Sequence, residues 1–89
     1  MKAFALRISS TEGDLFSGEA VKLSLRSAGG DLAVMAGHVP FVSYVKPCDC
    51  HVELADGSER VGHVQSGVLT VARDKVLLLS GDFIWQKEI

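Results

Sequence analysis

Cys48, Cys50 and His51 are the residues of this sequence whose types and spacing come nearest to metal or redox chemistry. A Cys-X-Cys step with an adjacent histidine could supply three ligands to zinc, because thiolate sulfur and neutral imidazole are donors that this ion prefers. Strand geometry argues against the set. On an extended chain, successive side chains point to opposite faces, so Cys48 and Cys50 share a face with Val52 and Leu54, while His51 shares the other with Asp49 and Glu53. The thiols then face a core and the imidazole faces away from it. Two same-face positions of one strand also lie close to the upper Cα distance limit for a disulfide. The expectation is two buried, inert cysteines and no metal site.

The remaining reactive residue types form no machinery. Ser9, Ser10 and Thr11 offer hydroxyls, but no recognisable base and orienting group accompanies them, and they read as a strand end entering a turn. Ala28-Gly29-Gly30 is not followed by Lys-Ser/Thr or by a helical pattern, so it is not a phosphate cradle, and no cofactor or nucleotide site is expected on this chain alone. His51 and His63 sit among polar neighbours and read as solvent-facing. His38 differs. Gly37 before it takes a positive φ at little cost, and Pro40 after it fixes its own φ and pushes Val39 towards extended geometry. The imidazole is therefore expected on a stiff exposed corner, suited to contacting a partner rather than closing over a substrate.

The elements that hold these residues follow a period of two. Phe4, Leu6 and Ile8 alternate with Ala3, Ala5 and Arg7, and Val21, Leu23 and Leu25 alternate with Lys22, Ser24 and Arg26, as half-buried strands do. Turn signals recur at short intervals: Glu12-Gly13-Asp14, Ser17-Gly18, Ala28-Gly29-Gly30, Gly37 to Pro40, Asp56-Gly57-Ser58, Ser66-Gly67, Arg73-Asp74-Lys75 and Ser80-Gly81-Asp82. That punctuation predicts an all-β fold, a small antiparallel β-sandwich or flattened barrel, without helices longer than about two turns. Asp56-Gly57 is expected to close a hairpin through a tight primed turn. Val76-Leu77-Leu78-Leu79 does not alternate, so both faces of that strand are apolar. A sandwich core covers one face; the other needs a loop, the tail containing Phe83, Ile84 and Trp85, or another subunit.

Size and composition agree. The 89 residues make a single domain, 1–89, which buries only about 60–65% of its unfolded surface, so modest and partner-assisted stability is expected. Hydrophobic residues at 47% against 22% charged argue for a real core. A net charge of −2 with scattered basic residues leaves no electrostatic footprint for nucleic acid or anionic lipid. Arg7 interrupts the first apolar run, which is too short for a signal peptide, and no stretch approaches the roughly 20 apolar residues of a membrane span. A soluble, intracellular chain follows, with no direct membrane insertion.

From Ile8 to Pro47 the motifs are specific: Thr11-Glu12-Gly13, Phe16-Ser17-Gly18, Gly30-Asp31-Leu32, Gly37-His38-Val39-Pro40 and Lys46-Pro47, with weaker echoes in Ser66 to Val71 and Lys75 to Leu79. In this order they resemble the amino-terminal domain of the epsilon subunit of F-type ATP synthases. Ala33, Ala36, Cys48 and Gln65-Ser66 depart from the family's usual residues, which touches turn details. The resemblance implies a non-catalytic subunit of the central rotor stalk, joining the gamma subunit to the ring of c subunits of a proton- or sodium-translocating synthase. It implies a peripheral place at the cytoplasmic face of a bacterial inner membrane. By position it assigns Asp31, Met35 and His38 to the c-ring contact, and Ser10, His38 and Ser43 to the gamma contact. Family members continue into a pair of helices that restrains ATP hydrolysis and in some binds ATP; this sequence stops at Ile89, so neither property is expected of it. Two other classes stand beside this reading: an autonomous small β-sandwich protein-binding module unrelated to the synthase, and a zinc enzyme built on Cys48, Cys50 and His51.

Overall fold

Alternating apolar residues become strands because each can turn one face to a shared core and leave its polar partners outside. The computed structural model describes residues 2–86. It contains β1 (Phe4–Ser10), β2 (Gly13–Ser27), β3 (Gly30–Val34), β4 (Phe41–Val45), β5 (Cys48–Leu54), β6 (Glu59–Val64), β7 (Gly67–Val71), β8 (Lys75–Leu79) and β9 (Ile84–Trp85). Among the described residues no helix forms, as the period-two patterns predict.

The 15-residue β2 organises the molecule. Its first part pairs with β1, from Phe4↔Ala20 to Ser10↔Gly13. Its second part lies between β3 and β5, through Leu23↔Val34 and Leu23↔Val52, and its end meets β4 at Ser27↔Val45. The path β1-β8-β7-β4 returns to β2, which also pairs with β1, so one half of the sheet closes on itself, while β5, β6 and β9 extend the other half. Every pairing is antiparallel except β1 with β8. Ser17-Gly18, expected as a turn, lies inside β2. Gly18 stands opposite Leu6, and the ladder to β1 carries the chain straight through it.

One core joins the halves. Leu6, Ile8, Leu69 and Leu78 from the first meet Leu23, Val34, Cys50, Val52 and Val64 from the second, all fully buried. The tail closes one side of the second half rather than covering β8. Phe83 is buried over Gly62, and Trp85 packs edge-on against Phe83 at 4.8 Å and Phe16 at 6.1 Å. The Trp85 Nε1–H donates to the Leu15 carbonyl at 3.2 Å, and the Arg60 guanidinium stacks over the indole at 4.0 Å.

The Asp56-Gly57 hairpin forms with a longer loop than expected. The Gly57 N–H donates to the Leu54 carbonyl and the Leu54 N–H to the Ser58 carbonyl, with Gly57 at φ +89°. This is a three-residue connection ending in a left-handed glycine, not a two-residue primed turn. Asp56 accounts for the difference, since its carboxylate accepts both the N–H and the hydroxyl of Ser58 and holds the wider loop.

Candidate partner interface

The outer faces of β4, β7 and β8 carry the largest exposed apolar side chains that lie together on one sheet. Val42 is 68% exposed, Tyr44 74% and Leu79 50%. Register brings them into rows: Tyr44 opposite Val68, which is opposite Leu79, and Val42 opposite Thr70, which is opposite Leu77. Val39, 74% exposed, stands just before β4. Phe83 and Trp85 pack elsewhere, so among the described residues β8 has a covered face, Val76 and Leu78, and an open one, Leu77 and Leu79.

The residues expected at the gamma contact flank this face. Ser10 ends β1 and, with Gly67 and Leu79, borders one end of it. Its hydroxyl accepts the Glu12 N–H at 3.1 Å, holding the turn into β2. His38 lies at the opposite end, its ring 5.1 Å from Phe41, which pairs with Val71. Ser43 sits in the middle of β4, between Val42 and Tyr44 in sequence but opposite the buried Leu69, so it belongs to the inward-facing set. Its hydroxyl donates to the Tyr44 carbonyl at 3.1 Å.

The residues expected at the ring contact are spread out. Asp31 is on β3, where the ladder Arg26↔Asp31 to Leu23↔Val34 draws Asp31 through Val34 into the sheet. Its carboxylate meets the Arg26 Nε at 3.0 Å and stays 82% exposed, and this contact holds Arg26 above its ordinary pKa. Met35, 46% exposed, follows four residues on, about 13 Å along the strand. The true turn is Met35 to His38, closed by the His38 N–H on the Met35 carbonyl at 3.2 Å, with Gly37 at φ +83° as a type II turn requires. The His38 Nδ1 lies 3.0 Å from the Val39 carbonyl, so the ring steadies its own corner while remaining partly exposed.

Two histidine–carboxylate pairs occupy the outer surface of β5 and β6: His63 with Asp49 at 3.0 Å and His51 with Glu59 at 3.4 Å. Hydrogen bonds from His63 first, and from Gln86, hold Asp49 below the usual carboxylate range. Both imidazoles face outward, as expected. Cys50 is fully buried, and burial pushes its thiol up to about 12. Cys48 departs from the expectation of a second buried thiol. The β2–β5 ladder stops at Ser24↔His51, and beyond it the half-buried Cys48 Sγ takes the Arg26 backbone N–H at 3.3 Å. Among the described residues no three His, Cys, Asp or Glu side chains converge to hold a metal ion.

Sequence reading missed Val42 and Tyr44. The signal was present in Phe41-Val42-Ser43-Tyr44-Val45, where apolar residues occupy both faces, as they do in β8.

Comparison with known proteins agrees with this architecture. Residues 3–86 match the family described as ATP synthase, Delta/Epsilon chain, beta-sandwich domain. An ATP synthase epsilon chain from Delftia acidovorans is 35% identical over 80 residues, covering 90% of this chain and 58% of that protein. The chain thus spans somewhat over half the length of that relative. Among solved structures, a chain of the Euglena gracilis mitochondrial ATP synthase assembly of OSCP, F1 and c-ring superposes with a TM-score of 0.89 at 19% identity, covering 98% of this chain and 56% of that one. A chain of the Tetrahymena thermophila mitochondrial ATP synthase central stalk and c-ring gives 0.72 at 8% identity, covering 90% and 64%. At these identities the structural likeness concerns the fold.

Proposed function

This chain belongs to the ATP synthase delta/epsilon-chain β-sandwich family, and from that premise we propose that it is a non-catalytic rotor element of an F-type synthase, joining the gamma subunit of the central stalk to the c-ring. The observation that carries the reading is the open apolar face of β4, β7 and β8 in a chain of that family. Val42, Tyr44 and Leu79, left in water on neighbouring rows of one face, favour burial against a partner, at about 25 cal/mol per Å² of apolar area removed from water. A joint that transmits torque needs a broad surface on stiff elements, and paired strands supply one. The gamma subunit is assigned to this face, bordered by Ser10 and His38 and backed by Ser43. Asp31, Met35 and His38, along β3 and the turn after it, are assigned to the polar loops of the ring. The subunit then sits peripherally at the cytoplasmic face of a bacterial inner membrane, in a synthase driven by protons or sodium ions. The alternative of a module unrelated to the synthase falls with the family match.

The test is affinity for a purified gamma subunit beside melting temperature, for the chain and for Val42→Asp and Tyr44→Asp. Both side chains are exposed, so each variant should keep its stability within about 0.5 kcal/mol. Each should weaken gamma binding by tenfold or more, as loss of a central apolar or aromatic anchor does. A chain with no affinity for gamma, or variants that bind as well as the original, would refute the assignment.

A further inference from the structure

Strand β3 has a neighbour on one side only. Among the described residues Gly30–Val34 pairs with β2 alone, without a bulge, from Ser27↔Gly30 to Leu23↔Val34, and no strand lies along its other side. Arg26 fixes which backbone groups face that open side. Its N–H points to the Cys48 sulfur and its carbonyl accepts the Lys46 N–H, so both face away from β3. Asp31 stands directly opposite Arg26, and in an antiparallel ladder its own N–H and carbonyl then face away from β2; Ala33 and Met35 follow with the period of two. All three residues are exposed. An open edge of this kind is a template for another strand unless Lys, Pro or a bulge blunts it, and β3 carries only Asp31, whose carboxylate is already engaged by Arg26.

We propose that the occupant of this edge is a second copy of this chain, its β3 paired antiparallel to the first across a two-fold axis through Ala33. The sequence is complementary to itself in that register. Ala33 meets Ala33 of the second copy as a hydrogen-bonded pair, and Asp31 of each copy lies opposite Met35 of the other. Leu32 lies opposite Val34 in a non-hydrogen-bonded pair, where side chains come closest, and both belong to or pack against the apolar core, which the pairing continues across the axis. Like charges stay apart. The two Asp31 carboxylates are separated by four residues along the paired strands, about 13 Å, which exceeds the Debye length of about 8 Å at physiological salt. Slipping the register towards Gly30 brings them together, and slipping it the other way runs into the turn at Gly37, so the axis at Ala33 is selected. The ladder is short and falls below a standard interface, so the pair is weak and reversible. Resting on the reading of Asp31 and Met35 as ring contacts, self-pairing covers residues assigned to the ring and leaves the face of β4, β7 and β8 open, so only chains not attached to a ring pair.

The chain is followed by sedimentation velocity from the micromolar to the millimolar range, where a single monomer–dimer equilibrium is expected. Ala33→Pro removes an N–H that faces the open side and no bond to β2, so the variant should lose the dimer and keep the melting temperature of the dilute chain. Met35→Asp sets a like charge opposite Asp31 and should weaken association by about tenfold or more, whereas Met35→Lys sets an opposite charge there and should strengthen it several-fold. Weakening by both Met35 variants overturns the register. A chain that stays monomeric over the whole range overturns the proposal. So does a dimer that Ala33→Pro keeps, and its loss in Tyr44→Asp would place that contact on the outer face of β4, β7 and β8. Added c-ring should dissolve the dimer. A dimer that stays paired while bound to the ring keeps the self-pairing and overturns Asp31 and Met35 as ring contacts.

Discussion

Gly62 has no room for a side chain: a Cβ there would lie 2.2 Å from the Phe83 Cζ and within 2.9 Å of two further ring atoms. Phe83 is 6% exposed and held edge-on by Trp85, so it cannot yield without leaving the core. Gly62→Ala is therefore expected to cost about 1–3 kcal/mol and to lower the melting temperature by roughly 10 °C, followed through Trp85 fluorescence. An unchanged melting temperature would mean that the ring does not seat on this glycine. Asp82 is the other residue whose role only the folded chain reveals, since Ser80-Gly81-Asp82 reads as a turn and nothing more. One carboxylate oxygen accepts the Gln65 N–H at 3.0 Å, the Ser80 hydroxyl at 2.9 Å and the Ser66 N–H at 3.4 Å, tying the bend after β8 to the turn before β7. These contacts, the Gln65 N–H foremost, hold its pKa below the ordinary carboxylate range. Asp14, through Ser9 and then Arg7, and Asp56, through Ser58, are lowered likewise. A depressed folded-state pKa contributes stability that is present above the unfolded value, about 3.9, and lost as pH falls through the folded value. These carboxylates should therefore leave stability flat from pH 6 to 8 and weaken the fold only below about pH 4. Asp82→Asn keeps an acceptor oxygen and removes the titration, so its melting temperature should fall less steeply in acid. An acid limb as steep as the original's would exclude Asp82 as a contributor.

Strands alternate visibly only when one face is buried and the other polar, which is why β1 and the second part of β2 were legible in the sequence while β4 and β8 were not assignable to faces. In Lys75-Val76-Leu77-Leu78-Leu79 the composition says that both faces are apolar; which one the core takes depends on the pairings to β1 and β7, which are distant in sequence. The same reason hid the continuity of β2 through Ser17-Gly18, decided by β1, and the partial exposure of Cys48, decided by where the β5 ladder ends. The motif Gly37-His38-Val39-Pro40 was legible because its geometry is local. The faces of β8 can be told apart by measurement. Leu78 is fully buried and Leu79 50% exposed. Leu78→Ala should cost about 2–5 kcal/mol in urea unfolding, whereas Leu79→Ala, its neighbour, should stay within about 0.5 kcal/mol. Equal losses at the two positions would mean that the outer face is covered in the isolated chain after all.

At the scale of the whole molecule, the described residues give the core one side of β8 and leave Leu79 on the other side half in water, which is a poor arrangement for a domain working alone. Fold and family were legible because turn motifs and period-two patterns run nearly the length of the chain; the partner surface was only half legible, because it is assembled from three strands whose exposed residues are far apart in sequence. If that surface is completed by gamma, binding and folding are linked, since a partner that binds the folded chain alone adds RT ln(1 + [L]/Kd) to its stability. At a free gamma concentration about one hundred times Kd the added stability is about 2.7 kcal/mol, which for a domain of this size raises the melting temperature by roughly 10–20 °C. Tyr44→Asp should melt like the original chain when alone, because Tyr44 is 74% exposed, and should lose most of the shift when gamma is present at the same concentration. Leu78→Ala should show the reverse pattern, a lower melting temperature alone and a comparable upward shift with gamma, once its weakened fold is still the majority species at the starting temperature. The two variants thus separate a surface that completes the fold from a core that makes it, and a Tyr44→Asp chain shifted by gamma as far as the original would place the joint on some other face.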